Sequence, residues 1–474
     1  MSSANQKKAL YFPKMRHVQN IHFIGIGGAG MCGIAEVLHH EGYNITGSDL
    51  VEGRSIEHLR AQGIMVFIGH DPIHIRDIDV VVRSSAIDPD NVELLAAQAL
   101  HIPVIPRAAM LAELMRFRYG IAIAGTHGKT TTTSLISSIL AAANLDPSFV
   151  IGGKLNSCGA NAKHGDSAYF VAEADESDAS FLFLKPMMAV VTNIDADHLG
   201  TYNNDFNKLR QTFVEFLHHL PFHGLAVLCV DDPELRCILA TLERPYVSYG
   251  FADDAQYRAV SWVQQGLLSH FTVQRPHGQS ALNISFPWPG RHNVQNALAA
   301  IAIASELEIA AEVIINALAV FQGVGRRFQI LGTRDFEHGS ATIVDDYGHH
   351  PNEIKATIEA ARHVWPNKKL IHVFQPHRYT RTQALFNEFI AVLQLADQLL
   401  LFDIYSAGEQ PIDGVTSQHL LKNIKNTIST ACIVSATNLL AYLELSVTED
   451  CIILMQGAGS ISQTAYKLLS IQAD

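Results

Sequence analysis

The chain has 474 residues, 48% of them hydrophobic and 17% charged, which suits a soluble globular protein of roughly two to four domains with several buried cores. Its 34 Lys and Arg against 46 Asp and Glu leave a net charge of −12, which argues against broad binding to nucleic acid or an anionic membrane but allows a local basic pocket. Six cysteines (Cys32, Cys158, Cys229, Cys237, Cys432 and Cys451) lie scattered without a C-x-x-C pair, so a reducing, cytoplasmic setting is expected in place of a disulfide framework or zinc knuckle.

The opening stretch, MSSANQKKALYFPKMRHVQ, has no apolar segment of signal-peptide type. The longest apolar stretch, 299–321, is interrupted by Glu306, Glu308 and Glu312, so no membrane insertion is expected. Short β-branched runs at 21–24, 80–82, 121–124, 189–192, 226–230, 342–344, 370–374 and 451–455 alternate with amphipathic helical stretches. Buried parallel strands covered by helices produce that pattern, so the fold class is α/β. Residues 257–289 differ: short strand-like runs between Gly266, Pro276, Gly278, Pro287 and Pro289 predict antiparallel hairpins at a sheet edge. Breaks near 116–120 and 322–327 divide the chain into 1–116, 117–323 and 324–474. The expected architecture is a Rossmann-like first domain, a central P-loop domain with a mostly parallel sheet, and a Rossmann-like third domain.

In chain order, the first chemical signal is IHFIGIGGAG at 21–30, with Gly25-x-Gly27-x-x-Gly30 between a strand and the helical run 31–40. Glycines let the backbone turn sharply and a diphosphate approach the helix N-terminus, whose free N–H groups favour anions. The next strand ends in Ser48-Asp49, where an acid would meet a ribose hydroxyl, and NAD is the first reading of such a loop. Gly69-His70-Asp71 and Ser84-Ser85 either line the same crevice or form ordinary βα turns and caps.

The second signal is GIAIAGTHGKTTTT at 120–133. A strand feeds Gly125-Thr126-His127-Gly128-Lys129-Thr130, followed by a helix. Small residues let N–H groups curl around phosphates, Lys129 supplies a point charge, and the Thr130 hydroxyl suits Mg²⁺. Ile123 stands where the strict Walker pattern has its first Gly, so the spacing is G-x-x-G-K-T. An NAD enzyme has no need of a second, ATP-type loop. Next, Glu173-Ala174-Asp175-Glu176-Ser177-Asp178 follows one strand and Thr192-Asn193-Ile194-Asp195-Ala196-Asp197-His198 another. Glu173 and His198 gain a metal-binding reading from the P-loop beside them, whereas Asp175, Asp178, Asp195 and Asp197 read equally well as caps or solvated acids.

GTHGKTT, EADESD, TNIDADH, GRHNVQNALAA, DDYGHHP and QPHRYTRT, in that order over nearly the whole chain, resemble the blocks of the Mur ligase family, ATP-dependent amide-forming enzymes of bacterial cell-wall precursor synthesis. GIGGAGM with DDYGHHP and FQPHRYTRT most resembles the branch that joins L-alanine to UDP-N-acetylmuramate. The resemblance implies that the first glycine loop (Gly25, Gly27, Gly28, Ala29, Gly30) holds a UDP-sugar diphosphate instead of NAD, with Asp49, His70, Ser84 and Ser85 near the nucleoside and sugar. It implies ATP contacts from Gly125, Thr126, His127, Gly128, Lys129, Thr130, Thr131, Asn293, Asn296, Arg327 and Asp346, and Mg²⁺ held by Thr130, Glu173 and His198. Asn293 and Asn296 lie three apart on one helix face, where an amide both donates and accepts at a base edge, although a helix cap is an alternative for Asn293. Several relatives carry a carbamoylated lysine shortly after the position of His198. No lysine stands there, and Lys208 reads as solvent-facing. The alanine-adding branch also lacks that lysine.

For the amino acid, Arg378 and Arg381 in His377-Arg378-x-x-Arg381 offer two guanidinium groups for a carboxylate, and Arg is the residue for bidentate recognition of that group. In Tyr347-Gly348-His349-His350, His349 suits a base for the attacking amine, while His350, before Pro351, reads as a helix start. The expected catalytic group is therefore Lys129, His198, His349 and Arg378, with Tyr347, His349, His377, Arg378 and Arg381 at the amino acid. Gln456-Gly457-Ala458-Gly459-Ser460 reads as a tight strand–helix turn. The expected partners are UDP-N-acetylmuramate, L-alanine and ATP, in a monomer or homodimer. Three alternatives stay open: a sister ligase that attaches a recycled murein peptide, an NAD(P)-dependent oxidoreductase built on the first loop, and an ATP-regulated binding module.

Overall fold

The computed structural model describes residues 14–157, 159–424 and 430–470. Most of the opening stretch read above for a targeting signal, and Cys158, lie outside the described residues. The first sheet holds β1 (Asn20–Ile24), β2 (Asn44–Asp49), β3 (Met65–Ile68), β4 (Val80–Arg83) and β5 (Val104–Pro106), all parallel, in the order β3-β2-β1-β4-β5. The order reverses between β1 and β4, and such a reversal opens a crevice at the carboxyl ends of the strands.

The second sheet holds β6 (Tyr119–Ala124), β7 (Ser148–Leu155), β8 (Ala160–Lys163), β9 (Tyr169–Glu173), β10 (Met188–Val191), β11 (Leu225–Cys229), β12 (Tyr246–Gly250), β13 (Tyr257–Gln265), β14 (Leu268–Gln274) and β15 (Leu282–Phe286). Their order is β15-β14-β13-β12-β11-β10-β6-β9-β7-β8. The central strands are buried on both faces: residues 121–124 of β6, 170–172 of β9 and 189–191 of β10 have no exposed surface. That is why they read as unbroken apolar runs. The expected edge hairpins are β13–β15. The other edge carries an antiparallel β7–β8 pair with a register shift between Val150 and Leu155, which the Gly152-Gly153-Lys154 interruption hid from pattern reading.

The third sheet holds β16 (Gln329–Phe336), β17 (Gly339–Asp346), β18 (Lys369–Phe374), β19 (Gln398–Leu401), β20 (Cys432–Ile433) and β21 (Cys451–Gln456), in the order β16-β17-β21-β18-β19-β20. Only the β16–β17 hairpin is antiparallel. The apolar stretch 299–321 belongs to two helices, Arg291–Glu306 and Ala311–Ala319, and residues 297–303 are wholly buried, so it is a core element. Among the described residues no helix is long and apolar enough to cross a membrane.

The chain divides into two compact units: Met1–Val260 with Thr272–Ile284 and Gln295–Gln322, and Ser261–Phe271 with Ser285–Val294 and Gly323–Asp474. Within the first unit, Arg118 ties the first sheet's layer to the second sheet. Its guanidinium donates to Ser148 Oγ at 2.6 Å and to Glu41 Oε1 at 2.7 Å, and it stacks over Phe170. Burial raises the Glu41 carboxyl while Arg118 pulls it down, so removing the cation strands a half-buried acid. Arg118→Ala is expected to lower unfolding free energy by about 2–4 kcal/mol in urea denaturation. A loss below about 1 kcal/mol would mean that solvent already screens the pair.

Candidate active site

At the carboxyl edge of the first sheet, the glycine loop is shaped by close approach. Gly25 takes φ +79° and donates to Ser48 O at 2.8 Å, and the Gly27 N–H donates to Asp49 Oδ2 at 2.9 Å. A Cβ on Gly27 would sit 2.9 Å from that same oxygen. Asp49 is therefore bonded to the loop itself, at the wall of a cavity of about 350 Å³ lined by Gly27, Gly28, Asp49, Val51 and the start of helix Arg54–Ala61. Ser84 stands against Gly25, and its hydroxyl caps the turn at Ala86 N. Ser85 continues that turn after β4. Gly28 caps helix Ala29–His40, and Gly30 lies in its first turn. His70 follows β3 and points inward, 3.0 Å from both Ser48 Oγ and Glu93 Oε2.

Sequence reading missed Arg107. Its Nη1 would lie 3.0 Å from a Cβ on Gly30, and its Nη2 lies 3.6 Å from Asp175 Oδ2. A guanidinium over a glycine loop is the cation a diphosphate needs. The only sequence signal was Pro106-Arg107 at the head of helix Arg107–Arg116.

In the second sheet, β6 lies between β10 and β9, so the phosphate loop, the acidic run and Thr192–His198 all leave the same edge side by side. The loop is gripped from both sides. A Cβ on Gly125 (φ +122°) would fall 2.1 Å from Thr192 Oγ1, and one on Gly128 (φ +81°) 2.5 Å from Asn296 Oδ1. Thr192 Oγ1 donates to His127 O at 2.6 Å, and Asn193 Oδ1 accepts from His127 N at 2.8 Å. His127 Nε2 pairs with Asp195 Oδ2 at 2.8 Å, and the Thr126 hydroxyl accepts from Asp195 N at 2.9 Å. Thr130 and Thr131 are buried in the first turn of helix Lys129–Ala142. Asn296 accepts from Thr132 Oγ1 at 3.2 Å, which sets it on the loop.

Lys129 Nζ donates to Glu176 Oε2 at 2.7 Å and to the carbonyls of Gly125 (2.6 Å) and Thr126 (3.2 Å). Burial works against its charge, but the Glu176, Asp175 and Glu173 carboxylates overcome that and raise the ammonium above its usual range. Burial pushes Glu176 up to about 7 even with Lys129 beside it. Glu176 was the second residue missed, because a four-acid run does not say which acid turns inward. Glu173, at the end of β9, accepts from Gly152 N at 2.9 Å. His198 takes a left-handed conformation (φ 54°) and lies 3.4 Å from Asp197. Asp175, Asp178 and Asp197 each cap a neighbouring N–H. Lys208, on helix Phe206–His218, is exposed.

In the second unit, the residues at the ends of β17 and β18 converge. The guanidinium groups of Arg326 (4.8 Å) and Arg327 (5.0 Å) both lie over the Tyr347 ring. His349 meets Tyr347 edge-on at 5.3 Å and approaches His377 at 5.7 Å, and His377 stacks on Tyr405 at 5.6 Å. Arg381 turns back onto His377, with Nη1 3.4 Å from Nδ1 and 3.3 Å from the carbonyl, while Arg378 lies 3.7 Å from Glu409 Oε1. Arg378 caps the short helix Tyr379–Ala384, so the two arginines start from different partners. Arg327 lies 3.8 Å from Glu353. His350 caps helix Pro351–Val364 in a capping box, as expected. Asn293 is no cap: its Nδ2 donates back to Pro289 O at 2.7 Å.

Asp346 accepts from Phe328 N, Gly348 N, Gln456 Nε2 and Thr357 Oγ1 at 2.7–3.2 Å, which commits both carboxylate oxygens to holding the loop that carries Tyr347 and His349. Gly457 (φ +148°) packs where a Cβ would lie 2.7 Å from Gln375 O, and its carbonyl accepts from Arg326 Nη2 at 2.6 Å. The late glycines thus form a tight turn.

Family models match three consecutive stretches: "Mur ligase family, catalytic domain" at 20–119, "Mur ligase middle domain" at 123–304 and "Mur ligase, glutamate ligase domain" at 326–459. The UDP-N-acetylmuramate–L-alanine ligases of Legionella pneumophila strains Corby and Paris are 63% identical to this chain over 465 residues, 98% of this chain and 99% of theirs. The chain belongs to the Mur ligase family. Among solved structures, the UDP-N-acetylmuramate-alanine ligase of Thermotoga maritima matches with a TM-score of 0.80 at 28% identity, covering 96% of this chain and 99% of that one. A murein peptide ligase from Psychrobacter arcticus, at 23% identity and a TM-score of 0.70 over 95% of this chain and 98% of its own, shares the fold. The three-domain α/β architecture is that of the Mur ligases.

Burial disfavours the charged form of two histidines, one on β18 and one just after it. His372, on β18, has no exposed surface, and burial lowers it to about 4. Burial, then Arg381 and Arg378, take His377 to about 4 as well. An unfolded histidine titrates near 6.5, so between pH 6.5 and 4 the unfolded chain takes up protons that these two refuse. Their stabilising effect is complete above about pH 6.5 and is lost as the pH falls towards 4. His372→Phe is expected to flatten the fall in urea midpoint between pH 7 and 4.5. A variant as acid-sensitive as the parent would show that His372 titrates normally.

Proposed function

We propose that the protein is an ATP-dependent ligase that joins L-alanine to the carboxylate of UDP-N-acetylmuramate in peptidoglycan precursor synthesis, releasing ADP and phosphate, and that it works in the cytoplasm. The observation that carries the chemistry is the phosphate loop at β6, flanked at one sheet edge by the acids after β9 and the segment after β10. High identity to alanine-adding relatives supports this reading over the peptide-attaching sister ligase. The grip of Thr192 and Asn296 on the phosphate loop favours it over an oxidoreductase built on the first loop alone.

The three substrates divide among 1–116 for the UDP-sugar, 117–323 for ATP and 324–474 for the amino acid. The diphosphate lies over Gly25–Gly30, with Arg107 as its cation and Asp49, His70, Ser84 and Ser85 around the nucleoside and sugar. Gly125 to Thr131 cradle the ATP phosphates, and Asn293, Asn296 and Arg327 meet the nucleotide. Asp346 acts through the loop it holds. A carboxylate is a poor electrophile, so the γ-phosphoryl group passes to it and gives an acyl phosphate. Lys129 and the helix N-terminus neutralise the charge that develops on the transferring group. Thr130 and Glu173 offer the hard oxygen donors that Mg²⁺ takes, and with His198 they would hold it, where it neutralises phosphate charge. Arg378 and Arg381 bind the carboxylate of alanine, His377 and Tyr347 bound its side chain, and His349 takes the proton from its ammonium. The amine then attacks the acyl carbon, and phosphate leaves.

Purified protein given UDP-N-acetylmuramate, L-alanine, ATP and Mg²⁺ is expected to release phosphate only when all three substrates are present, and to prefer L-alanine over a murein tripeptide. Lys129→Ala is expected to cut the rate about a thousandfold or more. Phosphate release independent of either acceptor, or nicotinamide binding in its place, would overturn the reading.

A further inference from the structure

Behind the crevice of the first sheet lies a buried acid that the ligase chemistry leaves unused. Glu93, in the first turn of helix Val92–Ala99, has no exposed side-chain surface. Four elements meet its carboxylate. The Ser48 hydroxyl, on β2, donates to Oε2 at 2.6 Å, and His70 Nδ1, after β3, lies 3.0 Å from the same oxygen. His74 Nδ1, in the turn Pro72–Ile75, lies 2.7 Å from Oε1, where the Asp71 N–H also donates at 3.4 Å. His22 Nε2, on β1, stands 3.7 Å away. Burial opposes the charge, but the bonds from His22, Ser48 and His74 win and bring Glu93 down to about 2.

A carboxylate only accepts hydrogen bonds, so His70 must carry its hydrogen on Nδ1. In the neutral ring that leaves a lone pair on Nε2. A free neutral imidazole prefers the opposite arrangement, so this tautomer is imposed by Glu93. The His70 side chain keeps 11% of its surface exposed. It sits just beyond the carboxyl end of β3, where Gly69 N bonds Asp49 O at 2.8 Å. Ligands of open α/β sheets bind at that edge.

We propose that Glu93 is a positioning residue that fixes His70 as a hydrogen-bond acceptor for the nucleobase, so that the site selects a base with an N–H on its pairing edge, uracil, over one with a bare nitrogen there, cytosine. The inference rests on the nucleotide-sugar substrate proposed above. Uracil N3–H donates to the Nε2 lone pair, whereas cytosine N3 would set two acceptors face to face and leave both unpaired.

Two measurements on the full chain test it. Imidazole ¹⁵N spectra are expected to show His70 with its hydrogen on Nδ1 at neutral pH, shifting towards Nε2 in Glu93→Gln. Calorimetric titration is expected to show UDP binding more tightly than CDP, with the ratio falling about tenfold in His70→Ala and in Glu93→Gln while ATP affinity holds. His70→Ala removes a partly exposed ring and keeps the test open if Glu93→Gln fails to fold. A wild-type His70 with its hydrogen on Nε2, or a His70→Ala variant with the parent UDP-to-CDP ratio, overturns the inference. The ligase assay reports separately: an active ligase whose His70 variant keeps the parent ratio sinks this inference alone, whereas an inactive chain that still reads uracil through His70 sinks only the ligase reading.

Discussion

A buried ammonium must find counter-charge, and much of the phosphate-binding edge is arranged so that Lys129 finds it at Glu176. The 2.7 Å contact closes the loop on itself: the lysine head returns to the carbonyls of Gly125 and Thr126, and the acidic run is drawn in behind it. The Glu176 carbonyl is held in turn by the hydroxyl of Tyr202, and Ser177 O by Thr201, so the segment after His198 is tied to the same pair. Under the proposed function, a phosphate that draws Lys129 outward would leave Glu176 buried without its partner. A carboxyl already pushed up to about 7 by burial then takes a proton more cheaply than it stays charged. The loop would thus exchange one anion for another without stranding a charge.

The same logic resolves a tension in the composition. Two of the proposed substrates are net anions and the zwitterionic alanine brings a carboxylate, yet the chain carries a net charge of −12. Attraction must be local, and each site has its own cations: Arg107 over Gly30, Lys129 in the phosphate loop, and Arg326, Arg327, Arg378 and Arg381 around Tyr347 and His377. Low-dielectric walls make a single fixed cation count for more than a diffuse field.

All eight runs became strands, because a strand buried on both faces must be largely apolar, with His22 and His372 as buried polar insertions. The two glycine loops were legible for a related reason: Gly25, Gly125 and Gly128 have positive φ, and a Cβ on Gly27, Gly125 or Gly128 would collide with Asp49, Thr192 or Asn296, so the residue type itself records the constraint. What escaped reading were pairings between distant segments. Arg107 meets Gly30 and Asp175, Glu93 meets three histidines from other elements, and Glu176 turns inward while its neighbours cap turns. Nothing local distinguishes Glu176 from Asp175 or Asp178. The carboxylates of Asp49 and Asp346, read from the sequence as ligand contacts, are taken up by loop N–H groups, a partnership no spacing rule announces.

Backbone conformation adds a constraint at three of these positions. His198, Arg326 and Arg378 all take left-handed conformations, with φ of 54°, 61° and 73°. Residues away from these edges do so as well, among them His101, His277 and Glu308, each in a turn, so the conformation does not by itself mark a site. For a histidine or arginine the conformation costs about 1 kcal/mol or more and persists only where neighbours over-determine it. Each of the three is pinned. Asp197 Oδ1 holds His198 N, Gln329 Oε1 holds Arg326 N while Tyr347 N holds its carbonyl, and Tyr405 O holds Arg378 N while Thr382 holds its carbonyl. Relaxing any of them to ordinary helix or strand geometry would swing the side chain away from its edge. At these three positions hydrogen-bonding neighbours bear the cost and fix a side chain at or beside the candidate site, whereas at His101, His277 and Glu308 the same backbone closes a turn.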